Sequence, residues 1–112
     1  NFADKIIDLL KVVRPDVNVV DGLVGRTWGE IHGEPAGMGV MLAGTDFVAV
    51  DAVGAAAMDM EGVPHVLNAA KHGYGVADLA QIDVRGEAIA SVRKHFRRRG
   101  WRADTWGAEP KA

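Results

Sequence analysis

Asp46 and Asp51 are the residues of this chain whose type and spacing most invite chemistry. From Phe47 to Met58 every position is apolar or glycine except Asp51. A helix apolar all round belongs inside a core, and a bare buried carboxylate is costly unless it is neutralised, hydrogen-bonded or paired. Asp51 therefore reads in one of two ways. It is an internal strut that accepts N–H groups of a glycine-rich loop or pairs with Arg26, or it is a ligand-binding carboxylate or general base. Asp46, or Thr45 before it, caps the same helix, because a short oxygen-bearing side chain accepts hydrogen bonds from first-turn N–H groups. Five residues are about 500° of helix at about 100° per residue, so the two carboxylates do not line one face. If both serve one site, Asp46 does so from the helix mouth.

Other candidates stand around this pair. Asp21, Glu30 and His32 could form a carboxylate–imidazole set for proton transfer, with His32 equally readable as a surface loop residue. Gly22–Leu23–Val24–Gly25 followed by Arg26 has the composition of an anion-binding turn. The bland alternative is a tight turn that needs positive φ. Neither a P-loop nor a G-x-G-x-x-G run is present. His65, at the second position of a later helix, falls near the Asp46 mouth. No H-E-x-x-H spacing supports a metal held by Asp46, Asp51, His32 and His65, and none is assigned. No motif specifies a cofactor. The catalytic candidates are thus Asp51 and His32; the ligand-binding set is Asp21, Gly22, Gly25, Arg26, Glu30, Thr45, Asp46 and His65.

The elements that must position these residues follow from periodicity. Phe2, Ile6, Leu9, Leu10 and Val13 recur at helical spacing, predicting an amphipathic helix from about Ala3 to Val13, ended by Pro15. Val17–Val20 reads as a buried strand, and Asp21 then stands at a carboxyl edge, where open α/β sheets place ligands. The segment Gly22–Gly39 holds six glycines and a proline in 18 positions, which predicts an irregular and functional connection. Met38–Ala43 is a continuous apolar strand that Gly44 turns into the central helix. Gly62 and Pro64 separate that helix from a second one, Pro64–His72, whose inward side is Val66, Ala69 and Ala70. Ile82–Val84 alternates as a short edge strand, and Ile89–Phe96 is a helix or an extended tail packing Val92 and Phe96. Arg93–Arg102 carries six of the 13 basic residues. The run reads first as a solvated face, second as a phosphate or acidic-partner contact. His72 and His95 read as exposed, and Trp101 and Trp106 as tail residues that could cover a partner.

Composition bounds the function. The 112 residues suit a single domain, and 48% hydrophobic with 25% charged residues is ordinary for a globular protein. With no cysteine, disulfides, thiolate metal sites and thiol catalysis within the chain are excluded, and a cytoplasmic setting is expected. A net charge of −2 argues against general nucleic-acid binding. The longest apolar run is short of the roughly 20 residues that span a bilayer, so no membrane association is expected, and no signal peptide is visible. Starting at Asn1, directly in a helical pattern, the chain reads as a piece of a longer protein.

The runs VVDGLVGR, His32–Gly33, GVMLAGTDFVAVDAVGAAAM, VPHVLNAAKHGYG and IDVRGE, in this order, resemble the family catalogued as domain of unknown function 362. The likeness covers about Asn1–Arg99 and corresponds to the C-terminal part of longer members, with 100–112 as a flexible tail. The family pattern has proline where this chain has Phe47, which suits Asp46 as cap. It also carries acidic and glycine residues where this chain has Thr27–Trp28, so the loop here need not bind the same thing. Members are often fused to ferredoxin-like iron–sulfur modules. The resemblance therefore implies electron-transfer company, with this cysteine-free chain as the non-cluster partner. The expected fold is α/β: one domain with a small, largely parallel sheet and packed helices. The expected function is a ligand-binding or catalytic half of a redox-associated protein. Its site, suited to a small anionic ligand, would lie between the Gly22–Gly39 loop and the helix starting at Asp46. The alternative is a non-enzymatic interaction or homo-oligomerisation module with Asp51 purely structural.

Overall fold

A computed structural model describes residues 2–26 and 35–96. The order is helix α1 (Phe2–Leu10), strands β1 (Asn18–Arg26) and β2 (Pro35–Gly44), helices α2 (Phe47–Ala57) and α3 (Pro64–Lys71), a 3₁₀ turn (Leu79–Gln81) and the short helix α4 (Ile89–Val92).

The expected parallel sheet is not present. β1 and β2 form a two-stranded antiparallel sheet, from Asn18 opposite Gly44 to Arg26 opposite Pro35. Consecutive strands joined by a short connection pair antiparallel, whereas parallel strands need a crossover of a dozen or more residues. Continuous apolar runs suggested strands covered on both faces. Here one face packs on α2 and the other exposes its apolar residues. Two further expectations change with this. Gly22–Arg26 is strand, not a loop or an anion-binding turn. Ile82–Val84 forms no strand among the described residues. The register shifts between Gly22 and Val24, where β2 carries an extra residue. Gly39 sits there at φ +67, the left-handed residue that a bulge of this kind requires.

α2 is central, as its composition predicts. It buries Val48, Val50, Ala52, Val53, Ala56 and Ala57. One cluster joins Val48 and Ala52 to Ile7 of α1, to Val66 and Ala69 of α3, and to Val63, which precedes α3. A second joins Ala57 to Met38 of β2 and to Phe96, which is 2% exposed. α2 ends in a Schellman motif: Met60 N donates to Ala55 O at 2.8 Å and Asp59 N to Ala56 O at 3.0 Å, with Asp59 at φ 55. The stop thus falls at Asp59 rather than Gly62. α1 is shorter than expected, and its buried residues are Ala3 and Ile7, with Leu10 packed beside them and Phe2 and Leu9 outside. On its surface Lys11 donates to the Asp8 carboxylate at 2.9 Å. That hydrogen bond, with the opposite charge, holds the carboxyl below and the ammonium above their ordinary ranges.

Candidate functional site

Asp46 is the N-cap of α2, with extended backbone at φ −96 and ψ 104. Its Oδ1 accepts from Val48 N at 2.9 Å and Ala49 N at 3.0 Å. Its Oδ2 accepts from Val76 N at 3.0 Å, which ties the helix mouth to the loop after α3. Both oxygens are therefore engaged. Gly75 makes the approach feasible, since a Cβ there would lie 2.1 Å from Asp46 Oδ1 and 2.8 Å from the Val48 Cβ. Thr45, beside the cap, is exposed.

Asp51 is not inside the core. Its side chain is 53% exposed. On α2 the positions around it at helical spacing, Phe47, Gly54, Ala55 and Met58, are all half-buried, so this stripe faces outward. Small residues, Ala and Gly, make a face read as core when solvent in fact touches it. Asp51 Oδ2 lies 3.7 Å from His65 Nε2. His65 is mostly covered, meets the Phe2 ring edge-on at 6.1 Å, and leaves its buried Nδ1 without a hydrogen-bond partner. Among the described residues position 51 pairs with position 65, not with Arg26 or Gly22, Gly25, Gly37 or Gly39.

The remaining described candidates belong to β1. Asp21 is exposed on β1, where its Oδ1 accepts from Leu23 N at 3.1 Å. Gly22 and Gly25 are strand residues facing the molecule, and Arg26 is exposed at the end of β1. Glu30 and His32 lie outside the described residues, as do Trp101, Trp106 and the tail 100–112. The structure thus joins Asp51 to His65 and brings Asp46 to the Gly75–Val76 loop. Asp46 and Asp51 share no partner among the described residues. Among the described residues, no three His, Asp or Glu side chains are grouped to hold a metal ion. No helix there is long and apolar enough to cross a membrane.

Two features go beyond the sequence reading. First, the start of the basic run is exposed at Arg93, Lys94 and His95, as a solvated face would be, yet it is also tied to α2 and β2. Arg93 Nε donates to Ala56 O at 2.9 Å and its guanidinium contacts Asp59 and Glu61. A cation at a helix C-terminus complements the dipole there. Lys94 Nζ donates to Gly37 O, Lys94 N to Ala57 O and Phe96 N to Met58 O. Phe96 is thereby set over Gly25, whose added Cβ would meet the ring at 2.8 Å. Only the apolar Phe96 inside a cationic run could have signalled this. Second, a groove of about 610 Å³ opens beside the α2 mouth, between Gly39–Gly44 of β2 and the Gln81–Glu87 segment, floored by Ala49, Val50 and Val53. Its size is typical of ligand or peptide sites, and its walls are mainly backbone and aliphatic side chains rather than convergent catalytic groups.

A family model described as a domain of unknown function (DUF362) matches residues 1–56, half of the 112-residue chain. No curated protein and no solved structure matches it.

Proposed function

The chain belongs to the family of domain of unknown function DUF362, and on that premise we propose that it is a non-enzymatic module that associates with a second copy of itself through the outer face of the β1–β2 hairpin. One observation carries this reading. Val19, Leu23, Val24 and Met41 stand on or beside that face at 64%, 54%, 65% and 60% exposure. Cross-strand register puts Val19 opposite Ala43 and Asp21 opposite Met41, so the apolar residues of both strands share one surface. A lone two-stranded sheet is marginal in water, and contiguous exposed apolar patches mark interaction surfaces.

The catalytic reading draws less support. The oxygens of Asp46 are engaged by three amides, and among the described residues no third group hydrogen-bonds the covered His65 Nδ1 to orient the Asp51–His65 pair. The redox company that the resemblance implies fits this reading as a partnership, in which a cysteine-free module contacts a cluster-bearing one.

Sedimentation velocity over a wide concentration range tests the proposal. The wild type is expected to self-associate, and Met41→Lys or Leu23→Lys to remain monomeric with unchanged circular dichroism. Substitutions at such exposed positions shift stability by only about 0.5 kcal/mol, so lost association is separable from lost folding. A wild type that stays monomeric at every concentration overturns the proposal.

A further inference from the structure

The groove beside Asp46 is walled by two runs of consecutive residues, Gly39–Gly44 and Gln81–Glu87. Successive side chains of an extended chain point to opposite faces. Every residue of β2 from Gly39 to Gly44 contributes to its wall, which therefore presents the strand's backbone edge. β2 is hydrogen-bonded to β1 along one edge and, among the described residues, has no second strand neighbour. Across the groove Ile82 is extended at φ −99 and ψ 124. The N–H groups of Asp83, Val84 and Arg85 make no backbone hydrogen bond among the described residues. The open edge of β2 and the Asp83–Arg85 backbone, whose N–H groups lack backbone acceptors among the described residues, thus face each other over a cavity, above the aliphatic side chains of Val50 and Val53.

We propose that this groove is a strand-insertion site. It takes an extended peptide that adds to the free edge of β2, from Val40 to Gly44, and meets the Asp83–Arg85 backbone on its other side. Unpaired backbone edges select an extended chain, because main-chain hydrogen bonds supply affinity and alternate side chains supply specificity. The chemistry of the walls narrows the occupant further. The floor is apolar, while the charged residues lining the groove are Asp46, Asp83 and Glu87 against Arg85 alone. Asp83 and Arg85 already pair at 3.0 Å, and the acidic excess favours cations. The occupant is therefore a segment in which apolar and basic residues alternate, apolar side chains toward α2 and basic ones toward the rim. Five residues at about 3.4 Å each give a ladder of about 17 Å, and the bulge at Gly39 sets its lower end. This site uses the edge of the hairpin and not its outer face, so it stands or falls independently of self-association.

The probe is an acetylated, amidated heptapeptide of alternating valine and lysine, titrated calorimetrically into the whole chain, with hydrogen exchange followed by NMR. Binding is expected to slow exchange of the outward amides of Val40–Gly44 by at least about tenfold. A peptide with alternate N-methylated amides, or one with glutamate for lysine, is expected to bind at least about tenfold more weakly. Glu87→Lys is expected to weaken the lysine peptide several-fold while leaving the melting temperature unchanged. Three outcomes overturn the proposal: no heat and no exchange change with peptide at about 1 mM; equal binding of the N-methylated peptide, which signals mere apolar adhesion; or outward amides already protected in the free protein, which means that Ile82–Arg85 itself closes on β2.

Discussion

At the scale of single residues, the two carboxylates that dominate the sequence have opposite fates. Asp46 gathers three backbone N–H groups from two segments, whereas Asp51 touches solvent and one imidazole at 3.7 Å. Asp46→Ala should therefore cost more than an ordinary cap, about 2–3 kcal/mol, since it orphans three donors and unties the Val76 loop. Asp51→Asn should stay within about 0.5 kcal/mol of wild type. Urea denaturation of both variants checks the contrast; equal losses would mean that Asp51 has more company than His65. The cap was legible because its grammar is local: Thr45–Asp46 stands directly before an apolar run. The third bond was not, because Val76 and the glycine that admits it lie beyond α3, at a distance no spacing rule spans. Asp51 misled because alanine and glycine are apolar yet too small to show which face of a helix is covered.

Among the elements, the segment Arg93–Phe96 that follows α4 fastens the hairpin to α2. Phe96 is 2% exposed between Met38, Ala57 and the Gly25 position. Truncating a buried phenylalanine costs about 3–5 kcal/mol, so Phe96→Ala should lower the midpoint of thermal unfolding by many degrees. Calorimetry would show this, and a shift of only a degree or two would mean that the ring is dispensable. Helices were legible in the chain: α2 and α3 fall where cap, apolar period and Pro64 put them. The sheet was not. Val17–Val20 and Met38–Ala43 announced strands, but direction and pairing are set by whether the intervening chain crosses over or turns back, and composition alone does not settle that. Glycines 22 and 25, which mark a loop by composition, instead let β1 approach Val40 and Phe96 closely.

For the whole molecule, the apolar residues left in water are its most telling property. Phe2, Leu9, Val12 and Val13 on and after α1 join Val19, Leu23, Val24 and Met41 of the hairpin among the exposed large side chains. An association built on such surfaces responds to salt in a defined way. Sulfate strengthens apolar burial, while sodium chloride, which at 0.1 M screens exposed charges more than about 10 Å apart, should leave it in place. Sedimentation in the two salts separates the cases, and dissociation by sodium chloride would point to an ionic contact instead. The seating of Phe96 also governs how the molecule would yield to a mechanical load. Tension applied to the chain beyond residue 96 reaches the Met38–Ala57–Phe96 cluster before it reaches Ile7, Val48 and Val66. The clasp would peel away and free the hairpin while the three-helix centre still held, so the molecule has a built-in order of rupture.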